Sequence, residues 1–204
     1  MHGLNGNAFD TWVAHNDVLW LGDLLPEDRQ DRPSVFKKSR IMIFGYSSGL
    51  TDTRNHRTRL ADYAHQLLSR LLYLRQTLDD KSRPIILVGH SMGGLVSRLA
   101  VMRLQTMPND YGELTPRHFG LLFLSTPHYG SQIGEGVPFK TFMRARAEFV
   151  RELSAFNMSV VDAVAIFQQI NPRPPIKCLC EGQPTRYAGV LSGFVRGLLQ
   201  WYPL

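Results

Sequence analysis

Pro84-Ile85-Ile86-Leu87-Val88-Gly89-His90-Ser91-Met92-Gly93-Gly94 is the stretch whose reading decides the fold. Pro84 to Val88 is an uninterrupted apolar run rich in β-branched residues. It predicts a strand buried on both faces of a parallel sheet. Residues 92–107 then carry a helical pattern, with Pro108 beyond its end. Between strand and helix stands Gly-x-Ser-x-Gly, followed by a further glycine, Gly94. A sharp turn of this composition holds its central residue in strained backbone geometry. Gly89 and Gly93 are required in it because side chains there would collide with neighbouring backbone. The turn lifts the Ser91 hydroxyl above the sheet with a helix N-terminus beneath it, which makes Ser91 the expected nucleophile of an acyl transfer. His90 belongs to the turn and points away from the site.

Outward from this turn the chain alternates. Arg40-Ile41-Met42-Ile43-Phe44-Gly45-Tyr46 reads as a buried strand. From about residue 55 to 78, Leu60, Ala64, Leu67, Leu68, Leu71, Leu74 and Leu78 recur at three- and four-residue steps, the pattern of an amphipathic helix. Residues 118–124 and 175–180 are further apolar strands, and 141–155 and 160–170 are helix candidates. Strand, helix, strand, helix, strand, helices, strand is the order of right-handed crossovers that build a parallel sheet. In such sheets the active groups sit on loops leaving the carboxyl ends of the strands. No repeat or linker interrupts the pattern, so one domain is expected over residues 1–185, with 186–204 an atypical glycine-rich apolar tail.

A tetrahedral intermediate needs backbone N–H donors aimed at its developing oxyanion. Met92, following the nucleophile, supplies one. His2-Gly3-Leu4-Asn5-Gly6 is the natural source of the second, with the Leu4 amide as the expected donor. A serine hydroxyl also needs a histidine to take its proton and a carboxylate to orient that histidine. After Ser91 the only histidines are His118 and His128. His118 begins a strand at the end away from the site and reads as structural. His128 follows a strand at the correct end. It could line the substrate pocket, or act as base if its loop folds back on Ser91. For the carboxylate, Glu181 follows the last strand and suits a triad acid, or is a solvated loop residue; Asp162, within a helix, is weaker. Acyl transfer of this kind requires no metal and no organic cofactor.

Composition narrows the alternatives. With 204 residues, 44% hydrophobic and 20% charged, the chain has the balance of an ordinary globular protein with a sizeable core. Its formal net charge of +6 is scattered, with no aromatic-interleaved basic stripe, which argues against nucleic acid as partner. No secretory signal opens the sequence, and no run of 18 or more apolar residues occurs. Cys178 and Cys180 read as two core thiols in a reducing compartment. Oligomeric state is not written in the sequence.

Several motifs now stand in order: His2-Gly3-Leu4-Asn5-Gly6, Thr11-Trp12, Trp20-Leu21-x-Asp23-Leu24-Leu25-Pro26, Arg40-Ile41-Met42-x-Phe44-Gly45-Tyr46, Gly89-His90-Ser91-Met92-Gly93-Gly94 and Leu124-Ser125-Thr126-Pro127-His128-x-Gly130-Ser131. Together they resemble the lipase-like α/β-hydrolases of the serine-active-site-containing protein family, over roughly residues 1 to 185. The resemblance implies an α/β-hydrolase fold, a mostly parallel sheet flanked by helices, and an ester- or lipid-hydrolysing activity through Ser91. It implies Glu181 as the family's glutamate after that strand. It also implies an intracellular place, in the cytoplasm or at mitochondrial or endoplasmic reticulum membranes, with possible peripheral membrane contact. Members of the family have an apolar strand leading into the His-Gly loop, and a further strand and histidine loop after the Glu181 region. The expectation is therefore a chain truncated at both ends, incomplete in its N-terminal strands and its C-terminal strand and His loop. Two other readings stay open: a catalytically inactive hydrolase fold used for interaction or regulation, and a membrane-surface role for the apolar tail.

Overall fold

Three strands, β1 (Ile85–His90), β2 (Phe119–Leu124) and β3 (Ile176–Leu179), pair in parallel and in that order. The computed structural model describes residues 1–27, 36–49, 58–128, 158–180, 185–187 and 191–195. Ile85 lies opposite Phe119 and His90 opposite Leu124; Leu121 lies opposite Ile176 and Leu124 opposite Leu179. This register brings the carboxyl ends level, so the residues after His90, Leu124 and Leu179 emerge along one edge. On the other side of β1 the Met1 nitrogen donates to the Val88 carbonyl at 2.7 Å, and the His90 amide donates to the Met1 carbonyl at 3.0 Å. That is the slanted bond pattern of a parallel ladder, and it delivers the opening pentapeptide to the same edge.

The period-two alternation sends Ile85, Leu87, Phe119, Leu121 and Phe123 into the core against two helices. Helix α2 (Leu60–Leu74) buries Leu60, Tyr63, Ala64, Leu67, Leu68 and Leu71, one stripe at helical spacing. Its first turn is closed by the Asp62 carboxylate, which accepts from the Arg59 amide at 2.7 Å. Helix α4 (Met92–Thr106) lies between α2 and the sheet and is buried on most of its circumference, Leu95, Val96, Ala100 and Val101 almost completely. Leu95, Val96 and Val101 each contribute about 1.5–3 kcal/mol through removal from water. Helix α5 (Met158–Gln168) packs on α4 and buries Val164 and Phe167. A single-turn helix α1 (Trp20–Asp23) places Trp20 edge-on to the buried Trp12, 6.4 Å between rings. No helix among the described residues is long and apolar enough to cross a membrane.

Several expectations need correction. The helix read over 55–78 is two elements, because the chain breaks at Arg75. Arg75 leaves the helix and its guanidinium donates to the carbonyls of Lys81 and Arg83 at 2.6 and 2.7 Å. This folds the short α3 (Leu78–Ser82) back, with Thr77 as its cap. Arg40 to Tyr46 is not a strand: it has no ladder partner among the described residues, and Ile41, Met42 and Ile43 stand exposed. The reading of β1 as buried on both faces fails at Ile86, which is 58% exposed, because the described helices cover one face of the sheet. Cys178 and Cys180 are exposed rather than core thiols: Cys178 lies beside the buried Phe123, but β3 stands at the end of the strand order and is exposed on both faces from Lys177 onward. Apart from the parallel sheet, β4 (Thr185–Tyr187) pairs antiparallel with β5 (Leu191–Val195). The helix expected at 141–155 lies outside the described residues.

Candidate active site

The chain leaves β1 into α4 through a single residue, Ser91, at φ 51 and ψ −121. A non-glycine residue at positive φ is costly and persists only where its surroundings fix it. Here the Ser91 amide donates to the Leu124 carbonyl at 2.8 Å, continuing the β1–β2 ladder into the turn, and its carbonyl accepts from the Gly94 amide at 3.0 Å. The glycines answer to the same crowding. A Cβ on Gly89 would stand 2.6 Å from the Gly94 backbone, and one on Gly93 would stand 2.5 Å from the Met1 carbonyl oxygen. A Cβ on Gly94 would overlap the Thr126 side chain. Ser91 itself is half-buried, and its hydroxyl has no hydrogen-bond partner among the described residues.

The opening pentapeptide is packed against this turn. A Cβ on Gly3 would come within 2.9 Å of the Ser91 Cβ, so only glycine lets the backbone approach that closely. His2, 1% exposed, holds the loop in place. Its Nε2 accepts from the Tyr46 amide at 3.4 Å, so Nδ1 carries the proton and donates to the Gly3 carbonyl at 3.0 Å. Ser48 adds a bond from its hydroxyl to the Gly6 carbonyl at 3.0 Å, and its own carbonyl accepts from the Asn5 amide at 3.1 Å. Burial, above all, holds the His2 imidazole below its ordinary pKa, which keeps this neutral tautomer in place. The sequence marked this loop by its glycines; the anchoring role of His2 went unread, although a histidine between an apolar start and Gly3 was visible.

His128 lies after β2 but faces down α4. The Arg98 guanidinium, 2% exposed, donates to the His128 carbonyl at 3.0 Å and lies 3.5 Å from its Nδ1. The ring sits edge-on to Phe123 at 4.6 Å. Burial first, and the Arg98 charge second, lower its pKa to about 4. His118 is at the entry end of β2, where its Nδ1 accepts from the Thr115 amide at 3.1 Å. Asp162 is exposed on α5, and Glu181 lies outside the described residues. The structure thus brings together Gly89, Ser91, Met92, Gly93 and the Leu4 loop, and does not bring His128 into hydrogen bonding with Ser91. A residue the sequence reading passed over is Ser125, at φ 48 at the end of β2. Among the described residues no cluster of three or more His, Cys, Asp or Glu could hold a metal ion.

A parallel sheet with a strained serine between strand and central helix defines the α/β-hydrolase fold of lipases and esterases. The solved Bacillus licheniformis lipase BlEst2, in its mature form, has this fold: it superposes with a TM-score of 0.57 at 20% identity, covering 91% of this chain and 65% of that one. Residues 50–169 match the PGAP1-like alpha/beta domain, and the chain belongs to that esterase- and lipase-like family. Among curated proteins it is similar to Protein SERAC1 of mouse, 31% identical over 152 residues, and of zebrafish, 31% identical over 150. Those matches take in 66% of this chain, which spans 22% of the length of either relative.

Proposed function

We propose that this lipase-like domain hydrolyses carboxylic esters through an acyl-enzyme on Ser91. The observation that carries the reading is the Ser91 backbone at φ 51, in the turn between β1 and α4, with Gly3 against its Cβ. In this reading the Ser91 oxygen attacks the ester carbonyl carbon and gives its proton to a base. The Leu4 and Met92 amides hold the oxyanion, and the alcohol leaves with that proton. Water then attacks the acyl-enzyme by the same route and releases the acid. Glu181, two residues beyond β3, is the carboxylate that would orient the base. His128 serves this reading best as a wall of the pocket, because a guanidinium beside its Nδ1 opposes the positive charge a base must accept. Lipid esters are the proposed substrate class, and a peripheral place at an intracellular membrane, mitochondrial or endoplasmic reticulum, is proposed with them from the resemblance to the serine-active-site-containing proteins.

A fluorophosphonate probe tests the reading. Covalent labelling of the folded protein that vanishes in Ser91→Ala is the expected result. A folded sample that takes no label would favour a second reading, a hydrolase fold used for interaction or regulation. The absence of any imidazole bonded to the Ser91 hydroxyl among the described residues gives that alternative its foothold.

A further inference from the structure

Two serines stand at the carboxyl ends of adjacent strands, and both have a left-handed backbone: Ser91 at φ 51 and Ser125 at φ 48. The β1–β2 register ends with His90 opposite Leu124, so each serine is the first residue past the ladder. The Ser91 amide bonds the carbonyl of the Leu124–Ser125 peptide group at 2.8 Å, which puts the two residues side by side along the sheet edge. Ser125 is half-buried, and its hydroxyl has no hydrogen-bond partner among the described residues.

The backbone around Ser125 is fixed from every side. Its amide donates to the Leu179 carbonyl at 2.8 Å, which ties it to β3. The Thr126 hydroxyl donates to the Gly89 carbonyl at 3.5 Å and its side chain fills the space over Gly94. Arg98, buried in α4, holds the His128 carbonyl at 3.0 Å. A strained non-glycine residue that its surroundings over-determine beside a reacting group is a sign of function. Glycine would meet the backbone requirement without strain, so the fold itself does not require a side chain here.

We propose that Ser125 is a substrate-contacting residue, its hydroxyl donating a hydrogen bond to an oxygen of the ester held at Ser91. The inference rests on the Ser91 reading above. Its substrate is an ester with an accessible oxygen beside the scissile carbonyl, either the alkoxy oxygen itself or a neighbouring one on the alcohol. A fluorophosphonate presents oxygens in the same relation to phosphorus, and so serves as the probe.

The test compares the second-order rate of fluorophosphonate labelling at Ser91 with the thermal midpoint in Ser125→Gly and Ser125→Ala. Ser125→Gly relieves the strain and removes the hydroxyl. It is expected to raise Tm while slowing labelling about tenfold. Ser125→Ala keeps the strain and is expected to slow labelling to the same extent with no gain in Tm. A Ser125→Gly protein that labels at the wild-type rate overturns the proposal alone. So does a lower Tm in that variant, which would make the serine structural. Failure of the folded wild-type protein to label at Ser91 overturns the acyl-enzyme reading, and this inference falls with it.

Discussion

The imidazole of His2 stacks on the ring of Tyr46 with centroids 4.2 Å apart and planes 14° from parallel, while the Tyr46 hydroxyl donates to the His2 carbonyl. The loop beside Ser91 is thereby clamped to a segment more than forty residues away in sequence (the Tyr46 amide reaches His2 across a separation of 44). His2→Phe keeps the stacked ring and deletes the bonds to the Tyr46 amide and the Gly3 carbonyl. It is expected to cost about 1–3 kcal/mol, because a buried donor and acceptor lose their partners. Urea unfolding measures the loss, and slower fluorophosphonate labelling should accompany it.

Glycines of the turn should differ sharply from a glycine of the sheet. A Cβ at Gly93 meets the Met1 and His2 carbonyl oxygens at 2.5 and 2.6 Å, whereas one at Gly120 finds nothing closer than 3.9 Å. Gly93→Ala is expected to destabilise by about 3 kcal/mol or more, and Gly120→Ala by less than about 1. Thermal unfolding of the two variants side by side checks the contrast.

Acid should weaken the contact between α4 and the chain leaving β2. The folded His128 pKa of about 4 lies below its ordinary 6.5, so the unfolded chain takes up this proton first. Its contribution is whole above about pH 6.5 and is lost as pH falls toward 4, about 3 kcal/mol for a shift of that size. Among the described residues, Arg98 from α4 and Phe123 from β2 face this ring. Denaturant midpoints between pH 7 and 4 should fall more steeply in the wild-type protein than in His128→Gln.

Far from the site, Tyr111 ties α2 to α4. Its buried hydroxyl bonds His65 Nδ1 at 2.7 Å and accepts from the Arg103 guanidinium. Tyr111→Phe is expected to cost about 1–3 kcal/mol with no change in labelling at Ser91. Paired stability and labelling measurements separate the two effects.

Strand β1, the turn and helix α4 were legible because their signals are local: an apolar run, glycines at fixed offsets and a helical period. The level carboxyl edge followed from chain order, and with it the place of Ser91 and the His-Gly loop. Arg40 to Tyr46 misled because an apolar run records β propensity and says nothing of a neighbour to pair with. The exposure of Cys178 and Cys180 depends on β3 being an edge strand of the described sheet with little packed over it, and period two alone leaves that open. The Arg98–His128 contact could not be read at all. It joins a helix interior to a loop thirty residues on, and nothing in either segment's periodicity announces a buried cation.

Because the Ser91 amide is bonded to the Leu124 carbonyl, the alcohol's coordinates are set by the hydrogen-bonded lattice of the sheet and not by any surface connection. A lineage built on this arrangement can rewrite its connecting segments, lengthening or exchanging whatever meets the substrate, without displacing the atom that would react. Diversification of specificity and preservation of chemistry are thereby assigned to separate parts of the chain.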